Sequence, residues 1–286
     1  MPAKRPPSVR ARRLAAEIRR LREVARLTGE EAAIRLGWSP SKISRIETGR
    51  SQVTVSDLRR LLDLYRVPGP RRDRLIELAR TAEQRGWWDA YADTLSQGYS
   101  AVIALEAVAE SVRQYDPSMM PGLLQTEAYM EEIVRSSLLV EPPGVVPQRV
   151  EVRLTRQALL TRDEDPLDLT AVLDEAALRR RVGGPTVMRE QLLHLAEMAV
   201  HPNITLHVLP FAKGSHPAMT GGFMILRFPG AIESGVVYLE NMTSDIFVER
   251  EDEVHHYSLA FDRLRKMAFE PQQSIAMITE IADQTN

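Results

Sequence analysis

Along the front of the chain, apolar residues recur at helical spacing. Leu14, Ile18, Leu21 and Ala25 fall on one stripe and predict a helix over residues 12–27. Thr28 can cap a second helix, and Glu31, three residues on, completes a capping box. That helix is short and ends near Leu36, where Gly37 supplies a left-handed stop. Ser39 then caps a third helix, with Pro40 at the first position, where a missing N–H costs nothing. In it Ile43 and Ile46 point inward, Ser41, Lys42, Ser44 and Arg45 stay outside, and Gly49 ends the run. Thr54 caps a fourth helix over residues 55–65, with Leu58, Leu61, Leu62 and Tyr65 toward the core. "VPGP" breaks the pattern, and a fifth helix is predicted over residues 71–84.

The pattern changes near "RGWWDAY", beyond which helices mix with β-branched runs. "QTEAYMEEIVRSSLL" reads as a helix, "EPPGVVP" as a loop, and "PQRVEVRLTRQALLTR" as a second helix with an Arg-rich face. "LDLTAVLDE" alternates like a strand, and "PTVMREQLLHLAEMAV" is a helix opened by proline. "NITLHVLP", "GGFMILRFP", "GVVYLEN" and "SDIFVE" follow, separated by turn residues, and suggest a meander of largely antiparallel strands. Helices over residues 252–269 and 271–283 close the chain, and no period of solenoid length recurs.

Composition narrows the class. A chain of 286 residues, 44% hydrophobic and 27% charged, has the content of a globular protein long enough for two domains. No apolar run approaches the roughly 18–20 residues that span a bilayer. The basic start has no apolar core behind it and does not read as a secretion signal. With no cysteine, disulfides, thiolate metal sites and a cysteine nucleophile are excluded. These features fit a cytoplasmic protein with no membrane partner. The net charge of −2 hides an asymmetry. Residues 1–86 hold 21 Lys and Arg against 10 Asp and Glu, a net of +11, and the remainder carries −13. A basic front and an acidic back suggest that the front meets a polyanion.

Two helices joined by a Gly-containing turn form a helix-turn-helix, with residues 39–48 in the recognition position. "GEEAAIRLGWSPSKISRIETGR" also resembles the lambda-repressor-like helix-turn-helix of xenobiotic-response-element type regulators, over about residues 12–70. Gly29 is the departure: that family carries Gln there, touching a phosphate, and here only the backbone N–H is left. The resemblance implies a base-reading role for Arg45, whose alternative is an ion pair with Glu47 or a neighbour. Ser41 is the next base-edge candidate, and Pro40 offers only apolar contact, as to a thymine methyl. Ser39, Lys42 and Arg50 are placed for phosphate, Ser39 doubling as the cap, and Ser44 shares their outer face. Glu47 resembles the family's inward-turned Glu, a structural residue. The "KRPPSVRARR" arm is either a phosphate-neutralising segment or a solvated tail.

The back half offers poor catalytic signals. Its histidines show no metal-ligand spacing; adjacent His255 and His256 point different ways, and His194 reads as a packing residue. "VGGPTV" lacks the lysine of a phosphate loop, and "DEDPLD" and "EREDE" read as solvated charge runs. Trp87 and Trp88 can stack on a ligand or simply pack. "GWWDAY…LEAVAESVRQYDPSMMPGLLQTEAYM", with "VLDEAALRRRVGG" and "NITLHVLPF", resembles the uncharacterised C-terminal domain of actinobacterial Scr-family antitoxin-like regulators. That pattern has "VPGLLQT" where this chain has Met120 to Thr126. The resemblance implies a regulator whose back half controls DNA binding beside a small protein encoded nearby, and it brings no catalytic residues.

The expectation is therefore a basic arm (1–11), an all-α helix-turn-helix domain (12–84) and an α+β regulatory or partner-binding domain with a largely antiparallel sheet (85–286). The expected function is that of a nucleoid-associated transcriptional regulator, binding a double-stranded operator as a homodimer, with no enzyme activity, cofactor or metal. The alternatives are a small-molecule-responsive repressor and an enzyme tethered to DNA.

Overall fold

The computed structural model describes residues 9–49, 51, 53–69, 71–73, 75–76, 79, 87–91, 93–138, 142–229 and 235–285. The chain divides into two compact units, Met1–Trp87 and Trp88–Asn286.

The first unit is helical: α1 (Val9–Val24), α2 (Gly29–Leu36), α3 (Pro40–Glu47) and α4 (Val55–Leu64), with residues 71–73, 75, 76 and 79 also in helix. α1 starts three residues earlier than the stripe suggests, and it stops three residues earlier because Ala25 and Arg26 form a turn and Arg26 takes a positive φ of 55°. The rest of the predicted fifth helix, from residue 80, lies outside the described residues. Leu14, Ile18, Leu21, Ala32, Ala33, Ile43, Ile46, Leu58, Leu61 and Leu62 close on one another in a single core. Each buried leucine or isoleucine contributes about 1.5–3 kcal/mol. The helix starts are locally encoded. Thr28 and Glu31 make the reciprocal capping box, Ser39 caps α3, and Thr54 caps α4.

The second unit is an α+β domain with one six-stranded sheet, in the order β3-β2-β1-β4-β5-β6. Its strands are β1 (Ser111–Asp116), β2 (Asp168–Asp174), β3 (Ile204–Leu209), β4 (Phe223–Arg227), β5 (Val236–Glu240) and β6 (Asp245–Val248). β1, β2 and β3 are parallel, while β4 runs antiparallel to β1 and continues into an antiparallel β4-β5-β6 meander. The sheet is thus mixed and mostly antiparallel, with one revision of the expected order. "NITLHVLP" does not join the meander: β3 sits at the far edge, parallel to β2. The cause is the pair of helices between β2 and β3, α8 (Glu175–Arg179) and α9 (Gly184–Met198), which carry the chain back as a parallel crossover demands. β1 itself carries no alternating apolar signal, yet it is the strand that joins the two halves of the sheet.

The remaining helices are α5 (Gln97–Glu106), α6 (Glu127–Ser137), α7 (Val145–Thr161), α10 (Glu251–Met267) and α11 (Pro271–Gln284). α10 lays Val254, Phe261 and Leu264 against Tyr115, Val172, Phe223, Ile225 and Val237 of the sheet. α11 packs on α9 and β3. The outer edge of β3 is sealed there: Phe269 N–H donates to Val208 O at 2.8 Å, and Val208 N–H donates to Ser274 Oγ at 2.9 Å.

Buried polar groups sit between elements of this unit. Arg156 of α7 forms a two-pronged ion pair with Glu106 of α5, at 2.8 and 2.6 Å, and also donates to the Tyr99 hydroxyl. The carboxylate and Tyr99 hold the Arg156 pKa above its usual value despite burial. On β1, Gln114 Oε1 and Asp116 Oδ2 are shut off from water without a partner among the described residues. Burial pushes the Asp116 carboxyl up to about 7, against a hydrogen bond from Gln114 that favours the charged form. Asp245 of β6 accepts from Tyr238 at 2.6 Å and from the capping Ser96 of α5 at 3.4 Å. Gly98 leaves the room for it, since a Cβ there would fall 1.8 Å from Asp245 Oδ2.

Candidate nucleic-acid interface

The turn between α2 and α3 is built by Gly37, whose φ of 68° is left-handed and open to glycine without strain. The Gly37 and Trp38 N–H groups return to the last carbonyls of α2, at Ile34 and Ala33. Ser39 then starts α3: its Oγ accepts from Lys42 N–H at 3.3 Å and lies 3.0 Å from Ser41 Oγ. Pro40 occupies the first turn.

Ile43 and Ile46, 2% and 3% exposed, fix which face of α3 turns inward. The opposite face is then determined. Ser41, Ser44, Arg45 and Thr48 are exposed at positions i, i+3, i+4 and i+7, a continuous polar stripe. Pro40 and Ser39 extend it at the N-terminal end, also exposed. Thr48 was not singled out from the sequence. Its hydroxyl donates to Ser44 O at 2.7 Å, so it also ties down the end of the helix. Arg50 and the arm before residue 9 lie outside the described residues.

Glu47 is turned away from the stripe. Arg22 of α1 grips both its carboxylate oxygens at 2.7 and 2.9 Å and donates a third bond to Leu27 O at 2.7 Å. The side chains are only 13% and 8% exposed. The hydrogen bond to Glu47 holds the Arg22 pKa above its usual value. With Glu47 occupied, the intramolecular alternative for Arg45 loses its first candidate. Among the described residues the Arg45 side chain has no hydrogen-bond or ion-pair partner and points to solvent.

Lys42, placed for phosphate by its position, also has partners within the first unit. Its Nζ is 2.8 Å from Asp57 Oδ2 of α4 and 3.9 Å from the centre of the Trp38 ring. Arg60 flanks the same indole at 5.1 Å and donates to Leu36 O at 2.6 Å. The two cations and the carboxylate brace the turn against α4, an arrangement that spacing along the chain does not announce.

In the second unit the sequence candidates lie on separate elements: Trp88 in a short helix before α5, His194 on α9, and His255 and His256 on α10. His194 is half-buried on α9, and burial lowers its pKa, as expected of a packed imidazole. Trp88 packs against Leu95, Ile103 and Val152. Among the described residues no three His, Asp or Glu side chains gather as a metal site, and no helix is long and apolar enough to cross a membrane.

Eight residues at 1.5 Å rise make α3 about 12 Å long, and a helix of about 10–12 Å diameter is what the roughly 12 Å wide major groove of B-DNA admits. Two short helices at a glycine turn, the second held from below by isoleucines and polar above, define a helix-turn-helix DNA-binding protein. A helix-turn-helix domain model matches residues 13–75. Residues 99–280 match the family described as "Domain of unknown function (DUF5753)", and the chain belongs to that family. No curated protein and no solved structure matches the chain significantly.

Proposed function

We propose that this protein is a sequence-specific transcriptional regulator that reads operator DNA through α3 and has no catalytic activity of its own. The observation that carries the reading is the exposed Ser41–Ser44–Arg45 stripe on a helix whose only acid, Glu47, is committed to Arg22. Arg45 then serves as the base-reading side chain, with Ser41 beside it and Pro40 offering apolar contact. Ser39, Lys42 and Arg50 meet the backbone of the duplex, with Ser44 on the same outer face. The charge of +11 over residues 1–86 supports approach to a polyanion, and the −13 of the remainder keeps the second unit off the duplex.

On this reading the protein acts as a homodimer, because one recognition helix reads one half-site, and the second unit carries the dimer contact. Joining two reading heads makes the second half-site a local event and raises affinity without new contacts. The second unit also offers the surface for a small regulatory protein. Co-purification of the full chain tests this: a protein band supports a protein partner, and a bound metabolite supports a small-molecule effector instead.

The main test is Arg45→Ala in the full chain, assayed on selected and random duplexes. Discrimination should fall by about 1–3 kcal/mol, the worth of one bidentate contact to guanine, while binding to random DNA changes far less. Full retention of sequence preference would remove α3 from its reading role.

A further inference from the structure

The one lysine of α3 is not idle in the free protein, and its partner is an acid. Asp57 is the third residue of α4, and its carboxylate meets Lys42 Nζ at 2.8 Å. The side chains are 36% and 21% exposed, so the pair is neither buried nor fully in solvent. The indole of Trp38 covers another side of the ammonium at 3.9 Å, and Arg60 lies by the same ring. Lys42 is thus held at the flank of the stripe rather than swinging free.

A phosphate oxygen approaching that ammonium meets Asp57 within a few ångströms of the same nitrogen. The carboxylate already supplies the negative charge that phosphate would supply, and it repels the newcomer. An ammonium has three donors, so geometry leaves room for an exchange, but the exchange must break one ion pair to make another.

We propose that Asp57 is a resident competitor for DNA phosphate at Lys42, a residue that sets the affinity scale of the protein for any duplex without altering which sequence it prefers. This rests on the DNA-binding reading of α3. Phosphate contacts position the protein and carry no sequence information, whereas base contacts specify. Cancelling one phosphate contact therefore lowers specific and non-specific affinity together and shortens residence on both.

Salt dependence separates this from a purely structural ion pair. Each phosphate neutralised releases counterions and adds about 0.9 to the slope of log K against log salt. Asp57→Asn frees one cation, so the slope should steepen by about 0.9, and affinity for a random duplex at 0.1 M salt should rise about eightfold by the same relation. Lys42→Met in the native background leaves the Asp57 carboxylate uncompensated and should weaken binding to selected and random duplexes alike, by less than the roughly eightfold that freeing the ammonium gains. In the Lys42→Met background, Asp57→Asn should lose most of its gain and all of its change in slope.

The measurement is fluorescence anisotropy of a labelled random duplex against the full-length chain and its three variants over a salt series, with thermal melts confirming that each variant is folded. Weaker binding by Asp57→Asn, an unchanged slope, or a gain that survives intact beside Lys42→Met would overturn the inference. If the native chain binds no duplex at any salt, the DNA-binding reading falls as well. If it binds and Asp57→Asn matches it, only the role of Asp57 falls.

Discussion

Glu47→Leu removes one half of an ion pair that ties the end of α3 to α1. In the native chain Arg22 gives Glu47 two hydrogen bonds of 2.7 and 2.9 Å and Leu27 O a third. Taking away the carboxylate leaves a guanidinium, whose side chain is 13% exposed, with one carbonyl acceptor in place of a full charge. Breaking a buried pair by deleting one partner costs 3–5 kcal/mol, and some exposure places this pair near the lower end, at about 3 kcal/mol. Replacing both partners by apolar residues, Arg22→Met with Glu47→Leu, removes the stranded charge and should recover most of the loss. The assay is native-state amide exchange of the full chain, read on peptides spanning α2 to α4. A loss of about 3 kcal/mol lowers the protection of the slowest amides there about 100-fold and leaves the sheet of the second unit unchanged. A loss below about 1 kcal/mol, or a double variant no better than the single, would mean that the pair does not hold the helix.

Asp116→Asn should remove a pH dependence of stability. Its folded pKa of about 7 lies above the unfolded value near 3.9. Between the two the native state keeps a proton that the unfolded chain has lost, so this contribution falls as pH rises from about 4 to about 7 and is flat above. At its steepest the slope is about 1.4 kcal/mol per pH unit; denaturation midpoints of both forms across that window should converge at low pH and separate at neutral pH, the variant above. Gly98→Ala should cost about 1–3 kcal/mol through overpacking against Asp245, which must then leave Tyr238. Asp245→Gly in the Gly98→Ala chain should relieve the clash, since even the Cβ of residue 245 lies 2.4 Å from the added methyl, and a neutral Gly98→Ala melt would show that the close approach is not maintained.

What the sequence made legible was local. Thr28, Ser39 and Thr54 announce helix starts because cap and recipient N–H are three residues apart, and Gly37 announces the turn because few residues take its φ. Ile43 and Ile46 then orient α3 by periodicity alone. The features that escaped are set by distant parts of the chain. Arg22 and Glu47 are 25 positions apart, and nothing near either names the other. Lys42 reads as an outward phosphate candidate, and only the fold, by bringing α4 alongside, shows Asp57 beside it. β1 was hidden because "SVRQYD" mixes Arg113, Gln114 and Asp116 with Val112 and Tyr115, and its burial comes from strands on both sides rather than from its own pattern. β3 is apolar enough to be seen, but its neighbour is decided by the helices before it.

Duties on α3 are divided by face. Ile43 and Ile46 carry the packing and Glu47 the tie to α1, while Arg45 holds up nothing beneath it and Ser41 touches only the capping Ser39 hydroxyl. Substitutions at such surface positions usually shift stability by no more than about 0.5 kcal/mol. The lettering on this helix can therefore be rewritten while the page stays intact. On the proposed reading of α3, chains sharing this scaffold are free to diverge in the DNA they prefer, through changes at a few outward side chains, without first acquiring compensating changes in the core.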